Sequence, residues 1–393
     1  MPADLQTILD RATRIRRELH QIPELGYQEH ETAGVIRREL DRLGIDYFEG
    51  PEEAPTATVA VIGDTSKPCV LLRGDIDALP IQEQTGVEYA STKKGLMHAC
   101  GHDGHAANLL AVAAALSGDA GSLPNCVKLV WQPAEEGGGG GKRLCDAGLL
   151  DETASMGPKV DVAFALHGWP MLPLGVVSTR PGPLLAATDT FEARFTGRGG
   201  HAAFPHFTRD PLAVAAGAVT DLQQFASREV DPTEPAVLSV TRFHAGTANN
   251  VIADEAVIGG TARTLTPETR RHAREAVERR CRGLADAGRC DLSFTWNDGY
   301  PPTVNDPAMA DLVKRLAGDK FLPAARPAMG GEDFAFYLER VPGCFFLVGL
   351  MPEGREDYPA LHTERFDFTD AAMATGVDMM LKLVREWRPA ETP

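Results

Sequence analysis

Between residues 182 and 299 the hydrophobic pattern changes period in a fixed order. Residues 190–195 alternate as a half-buried strand should, 210–227 are helical, 236–243 and 255–265 are strands, 267–287 form a charged amphipathic helix, and 291–296 close with a strand. This β-α-β-β-α-β succession is the ferredoxin-like motif. Its strands have one face to bury against two helices, so the segment can stand as a small domain set into a larger one. The spacing predicts that domain over 183–299, between a first part of the larger domain (1–182) and a second part (300–393), with Tyr300-Pro301-Pro302 as the stiff boundary.

The larger domain reads as α/β with a mostly parallel sheet. Two amphipathic helices open the chain: Leu5, Ile8, Leu9, Ala12, Ile15 and Leu19 recur at helical spacing, then Val35, Ile36, Leu40 and Leu43 before Gly44. Short apolar runs at 56–62, 69–73, 126–131 and 160–166 alternate with helical stretches, and 307–317, 344–348 and 369–387 add a helix, a strand and a last helix. Composition narrows the function. Lys plus Arg is 39 against 55 for Asp plus Glu, a net charge of -16, so the field repels polyanions and a nucleic-acid partner is not expected. The apolar run 109–116 falls far short of the roughly 20 residues of a bilayer span, so neither membrane anchor nor signal peptide is expected. Seven scattered cysteines suit a reducing compartment, which points to the cytoplasm.

The chemistry is concentrated in Met97-His98-Ala99-Cys100-Gly101-His102-Asp103-Gly104-His105, just ahead of an apolar helix. Cys100 and His102, two apart on a turn, can point at one ion, and thiolate with imidazole suits zinc and its first-row neighbours. Where the strand 126–131 ends come Glu135 and Glu136, beyond the carboxyl end of a strand, the place where open α/β sheets bind ligands. One carboxylate can bind metal while its neighbour stays free as a general base. The five glycines that follow are no phosphate loop, because Glu136 and Arg143 stand where glycine and a hydroxyl residue are required. His167 closes an apolar run and His362 follows Leu361 in a loop. With Cys100, His102 and Glu136 they make five donors, as two ions with one bridging ligand would use. Asp75 and Asp77 then either orient ligands by hydrogen bonding or serve as turn and cap residues.

These motifs resemble the aminoacylase and carboxypeptidase family of dinuclear metallohydrolases, in the branch of bacterial N-acyl-amino-acid amidohydrolases, hippurate hydrolases and plant auxin-conjugate hydrolases. The resemblance runs from Arg16-Arg17-Glu18-Leu19-His20 and Pro23-Glu24-Leu25 through Arg73 to Pro80, His98 to His105, Gln132 to Glu136 and Gly200-His201-Ala202-Ala203. It continues in Asn249-Asn250-Val251-Ile252, Gly330-Gly331-Glu332-Asp333-Phe334 and Leu361-His362. It implies a catalytic domain with an inserted lid and dimerisation domain, a homodimer or higher homo-oligomer, and two divalent ions drawn from zinc, manganese, cobalt or nickel. Cys100 would bridge them, one ion adding His102 and His167 and the other Glu136 and His362, with Glu135 as the catalytic carboxylate. The wider family has a histidine where Asp75 stands and an aspartate bridge in place of Cys100. His201 resembles the histidine that such lids present to the reacting carbonyl, often in the partner subunit's site. Asn250 and Arg263 are candidate anchors for a substrate carboxylate.

The expected reaction is metal-dependent hydrolysis of the amide bond of small N-acyl-L-amino acids, with a dipeptidase or exopeptidase acting on short peptides as the alternative. A cysteine hydrolase using Cys100 with His102 or His105 would leave Glu136, His167 and His362 idle, and the chain has no Gly-x-Ser-x-Gly elbow. A metal-storage protein would need the ligands but not Glu135.

Overall fold

The computed structural model describes residues 3–355 and 357–389. They form two compact units, one from the described residues of 1–182, 304–325 and 333–393, the other from 183–303 and 326–332. Among the described residues no helix is long and apolar enough to cross a membrane, and the seven cysteines are free and buried.

The first unit is built on a seven-stranded sheet. Its order is Tyr47–Glu49, Thr58–Ile62, Cys126–Gln132, Cys69–Asp75, Val162–Pro173, Gly343–Met351, Val177–Ser178. The four strands from Cys126–Gln132 to Gly343–Met351 run parallel, and the strands outside them pair antiparallel. Cys69–Asp75 and Cys126–Gln132 are buried along their whole length, which is why they read as continuous apolar runs rather than as alternation. Their register aligns Asp75 with Gln132, so both strands end at the same level. Strand Val162–Pro173 runs well past His167, where the apolar pattern stops. Beyond that point it is held by pairing with Gly343–Met351, His167 opposite Leu347 and Pro173 opposite Met351, across a bulge after Gly349. The edge strands Tyr47–Glu49 and Val177–Ser178 have three and two residues, too short for a periodicity to show.

Helix His102–Ser117 is buried along most of its length, its polar residues His102, Asp103, His105 and Asn108 included, and lies in the core. Against it lie the buried face of helix Ala3–Gln21 (Leu9, Ala12, Ile15, Leu19) and that of His30–Leu43 (Val35, Ile36, Leu40). The second helix stops where Gly44 takes φ 67°, its amide capping Asp41 and Leu40.

A buried polar network crosses this core. The Arg16 side chain, fully out of water, reaches Asp367 at 2.6 Å, Asp370 at 2.8 Å and Asp103 at 3.3 Å. His20 lies 2.8 Å from Asp103 through Nδ1 and 3.3 Å from Glu83 through Nε2. Burial alone would lower the His20 pKa, but Asp103 and the Glu83 hydrogen bond win and raise it to about 9. Protonated His20 therefore stabilises the fold fully below its unfolded pKa of about 6.5, and the contribution is lost as pH rises through about 9. Thermal unfolding from pH 6 to 10 is expected to show this fall in the wild type and a flatter profile in His20→Gln. Parallel profiles would remove His20 as the cause.

The second unit carries a four-stranded antiparallel sheet in the order Ala236–Ala245, Glu255–Thr264, Asp189–Thr196, Asp291–Asn297. Asp189–Thr196 buries every second residue, and Phe191, Ala193 and Phe195 pack with Ala215, Leu222, Val277 and Cys281 of the helices. Helix Pro211–Leu222 begins where Asp210 accepts the Leu212 and Ala213 amides, and Pro267–Ala287 where Thr266 accepts that of Thr269. The helical stretch predicted over 210–227 is two helices, Pro211–Leu222 and Gln224–Arg228.

Candidate metal centre

The loop 97–101 feeds helix His102–Ser117 through Gly101, whose φ of 86° suits a residue without Cβ. A Cβ there would stand 3.0 Å from the Phe368 ring. The turn leaves Cys100 and His102 on either side of Gly101, both buried. Cys100 Sγ is 3.3 Å from His167 Nε2 and 3.3 Å from His362 Nε2, and His362 Nε2 is 3.1 Å from Glu136 Oε1. His362, at φ 62°, donates its backbone N–H to Ala99 O at 2.8 Å, which ties its loop to the Cys100 segment.

The donor atoms fall into two triads that share one atom. Cys100, His102 and His167 lie within 4.8 Å of one another, as do Cys100, Glu136 and His362. Donors bound at about 2.0–2.3 Å to one tetrahedral ion stand roughly 3.5 Å apart, close to the spacings found here. His102 Nε2 is buried without a hydrogen-bond partner among the described residues, its neighbour Asp75 Oδ2 standing 3.7 Å away. An orphaned imidazole nitrogen beside a thiol and a second imidazole fits a divalent ion of the zinc type.

Hydrogen bonds behind the donors set their direction. His102 Nδ1 faces Asp77 Oδ1 at 3.1 Å, so its proton sits on that side and its Nε2 lone pair points inward. His167 Nδ1 donates to Gly168 O at 2.8 Å, which leaves Nε2 as the acceptor facing Cys100. Asp77 also accepts the Glu136 amide at 2.9 Å. Asp75 takes another direction: it meets Arg73 at 2.5 Å and His105 Nδ1 at 2.6 Å, and His105 Nε2 accepts the Gly168 amide at 2.8 Å. Through its hydrogen bonds Asp75 thus acts on the strand that carries His167, while its charge faces the His102 ring 3.7 Å away. Arg73 continues to Gln132 at 3.0 Å and Asp333 at 2.9 Å, beneath the turn that bears Glu135.

Without cations the acids dominate the local field. Burial and the charges of Glu136, Glu135 and Asp75 push the Cys100 thiol well up. Burial alone would lower His102, but Asp75 and Asp77 raise it to about 10. His167 is held down by burial and by His105. A bound dication reverses the first two shifts by favouring thiolate and neutral imidazole.

Glu135 is buried, its Oε1 3.4 Å from the Asp333 amide, and lies within 4.8 Å of the His102 and Glu136 donor atoms. It belongs to neither triad. His98 is buried apart from both triads, and neither ring nitrogen has a hydrogen-bond partner among the described residues.

The remaining candidates belong to the second unit. His201 is exposed on Gly200–His201, paired with Val251, and its Nδ1 accepts the Ala203 amide at 3.1 Å, which places the ring proton on Nε2. Asn250 is exposed, and its carbonyl accepts the Ala202 amide at 3.0 Å. Arg263, half-buried on Glu255–Thr264, donates to Thr261 Oγ1 and, at 3.2 Å, to Ala262 O.

Sequence reasoning passed over Arg73 and Asp333 as individual actors and weighed His105 only as the partner of a nucleophilic Cys100. Arg73 had a visible signal, a lone charge closing a buried apolar run, and His105 sat in the densest histidine cluster of the chain.

Known proteins are similar to this chain over most of its length. The profile of peptidase family M20/M25/M40 matches residues 71–386. IAA-amino acid hydrolase ILR1-like 4 of Arabidopsis thaliana is 38% identical over 373 residues, covering 93% of this chain and 83% of that protein. N-acetyl-L-cysteine deacetylase of Bacillus subtilis is 39% identical over 362 residues, 91% of this chain and 85% of that one. Among solved structures, the Bacillus subtilis YXEP protein, described as a dinuclear metal binding peptidase from the M20 family, superposes with a TM-score of 0.83 at 34% identity, covering 96% and 98% of the two chains.

Proposed function

Because the chain belongs to peptidase family M20/M25/M40 and is a metal-dependent hydrolase of amide bonds, we propose that it cleaves the amide that joins an acyl group to an L-amino acid. The observation that carries this reading is the pair of triads sharing Cys100, with the Glu135 carboxylate within 4.8 Å of the His102 and Glu136 donor atoms. The names of the two curated relatives, a deacetylase of N-acetyl-L-cysteine and a hydrolase of IAA-amino acid, point to the same bond.

In this reading Cys100, His102 and His167 would hold one divalent ion, and Cys100, Glu136 and His362 the other. When bound, the ions supply Lewis acidity that lowers the pKa of water and polarises the amide carbonyl. Glu135 takes the proton released by the attacking water and returns it to the leaving nitrogen. Asp77 holds the Nδ1 proton of His102 and so keeps Nε2 available as a donor. For His201 we propose hydrogen bonding to the developing oxyanion through Nε2–H, and for Asn250 and Arg263 recognition of the amino-acid carboxylate. We assign the protein to the cytoplasm as a homodimer formed through the second unit.

The test is a screen of N-acetyl, N-benzoyl and longer N-acyl amino acids against dipeptides, with Mn²⁺, Zn²⁺, Co²⁺ and Ni²⁺ added in turn. Turnover of N-acyl amino acids that chelation abolishes and metal restores is expected. Activity that survives chelation, or turnover of dipeptides alone, would overturn the reading.

A further inference from the structure

The turn that delivers Glu135 is strained and held from outside. Ala134 has φ 55°, in the left-handed region where an L-residue with a Cβ costs roughly 1–2 kcal/mol, yet it is only 1% exposed. Two glycines let its side chain pack closely: a Cβ at Gly26 would stand 2.8 Å from the Ala134 Cβ, and one at Gly138 2.6 Å from it.

Buried carboxylates hold the amides on both sides of Glu135. Asp77 accepts the Glu136 N–H at 2.9 Å. Glu29, which precedes helix His30–Leu43, accepts the Ala134 N–H through Oε1 at 2.9 Å, while its Oε2 accepts the Thr56 hydroxyl at 2.7 Å. Glu29 is 0% exposed. Keeping a carboxylate out of water costs several kcal/mol unless its partners are well placed. Here those partners include one hydroxyl and the amide of the strained residue.

We propose that Glu29 is a positioning residue: through the Ala134 amide it fixes the turn that aims the Glu135 carboxylate. This rests on the reading of Glu135 as the proton carrier. Displacing a reacting group by about 1 Å costs on the order of a hundredfold in rate, and releasing the Ala134 amide lets its peptide rotate towards the ordinary negative-φ regions, carrying Glu135 with it.

Steady-state kinetics on an N-acyl amino acid, metal content and thermal unfolding of Glu29→Ala, Glu29→Gln and Thr56→Val test this. In Glu29→Ala, kcat is expected to fall about 10–100-fold with KM and metal content unchanged. Glu29→Gln, whose amide oxygen still accepts from Ala134, is expected to retain most of the wild-type kcat. Thr56→Val, which removes the Oε2 partner alone, should show a smaller loss in the same sense and serves if Glu29→Ala does not fold. Wild-type kcat in folded Glu29→Ala, equal impairment in Glu29→Gln, or metal loss parallel to activity would overturn the proposal. A wild-type enzyme that cleaves no amide with metal present would instead refute the Glu135 reading, and this inference with it.

Discussion

Replacing Glu135 by Gln is expected to lower kcat by about 10²–10⁴-fold, the usual contribution of a positioned general base, while bound metal stays at the wild-type level. The substitution keeps shape and volume, and the amide oxygen can still face the Asp333 N–H that lies 3.4 Å from Oε1. What it removes is the capacity to accept a proton from water and hand it to the leaving nitrogen. Glu135 belongs to neither triad that shares Cys100, so the ions should remain and KM should change little. Turnover and elemental analysis on the same preparation check both halves of the prediction. Wild-type activity would refute the base assignment, and loss of metal in step with activity would make Glu135 a ligand.

Cys100→Ser should act the other way, through the metal. The sulfur is the one donor common to both triads, 3.3 Å from His167 Nε2 on one side and from His362 Nε2 on the other. Serine offers a shorter arm and a neutral hydroxyl, so the two ions would lose their shared anionic donor. The expected result is a fall in bound metal at both positions, measured after desalting, with activity falling in parallel. Cys100→Asp restores an anionic donor and should recover part of the occupancy. Unchanged metal content in Cys100→Ser would rule out thiolate ligation. Persistent activity of the wild type after chelation would return Cys100 to the role of a nucleophile.

The parts of the site visible in the sequence are those encoded by local spacing. Cys100, His102 and the neighbouring histidines are crowded into nine residues ahead of a helix, and Glu135-Glu136 follow directly on a buried strand. The ferredoxin-like order of the second unit was legible for the same reason: strands Asp189–Thr196 and Asp291–Asn297 alternate in burial, and helices Pro211–Leu222 and Pro267–Ala287 each open with a capping residue. His167 and His362 carried weaker signals, since His362 reaches Cys100 across 262 residues, a proximity that register and loop path decide. The extent of strand Val162–Pro173 was hidden because pairing with Gly343–Met351 carries it past the end of its apolar run.

Supporting residues were the least legible. Glu29 sits in Gln28-Glu29-His30-Glu31, a stretch that looks like a solvated helix start, yet its side chain is buried against Ala134, 105 residues away. Arg16 and Arg17 are identical in kind and adjacent in sequence. One is fully buried among Asp103, Asp367 and Asp370, and the other lies about half exposed beside Asp370. Helical phase separates them, and phase alone does not show which carboxylates will be waiting on the inner face.

The central claim is that one thiolate joins two ions within a cage of five side chains. Anomalous diffraction at the absorption edge of a single transition metal, from crystals of the loaded protein, tests it most directly. Two peaks are predicted, each about 2.3 Å from Cys100 Sγ, one also bound by His102 and His167 and the other by Glu136 and His362. A single peak, or two peaks with Cys100 bound to neither, would contradict the account.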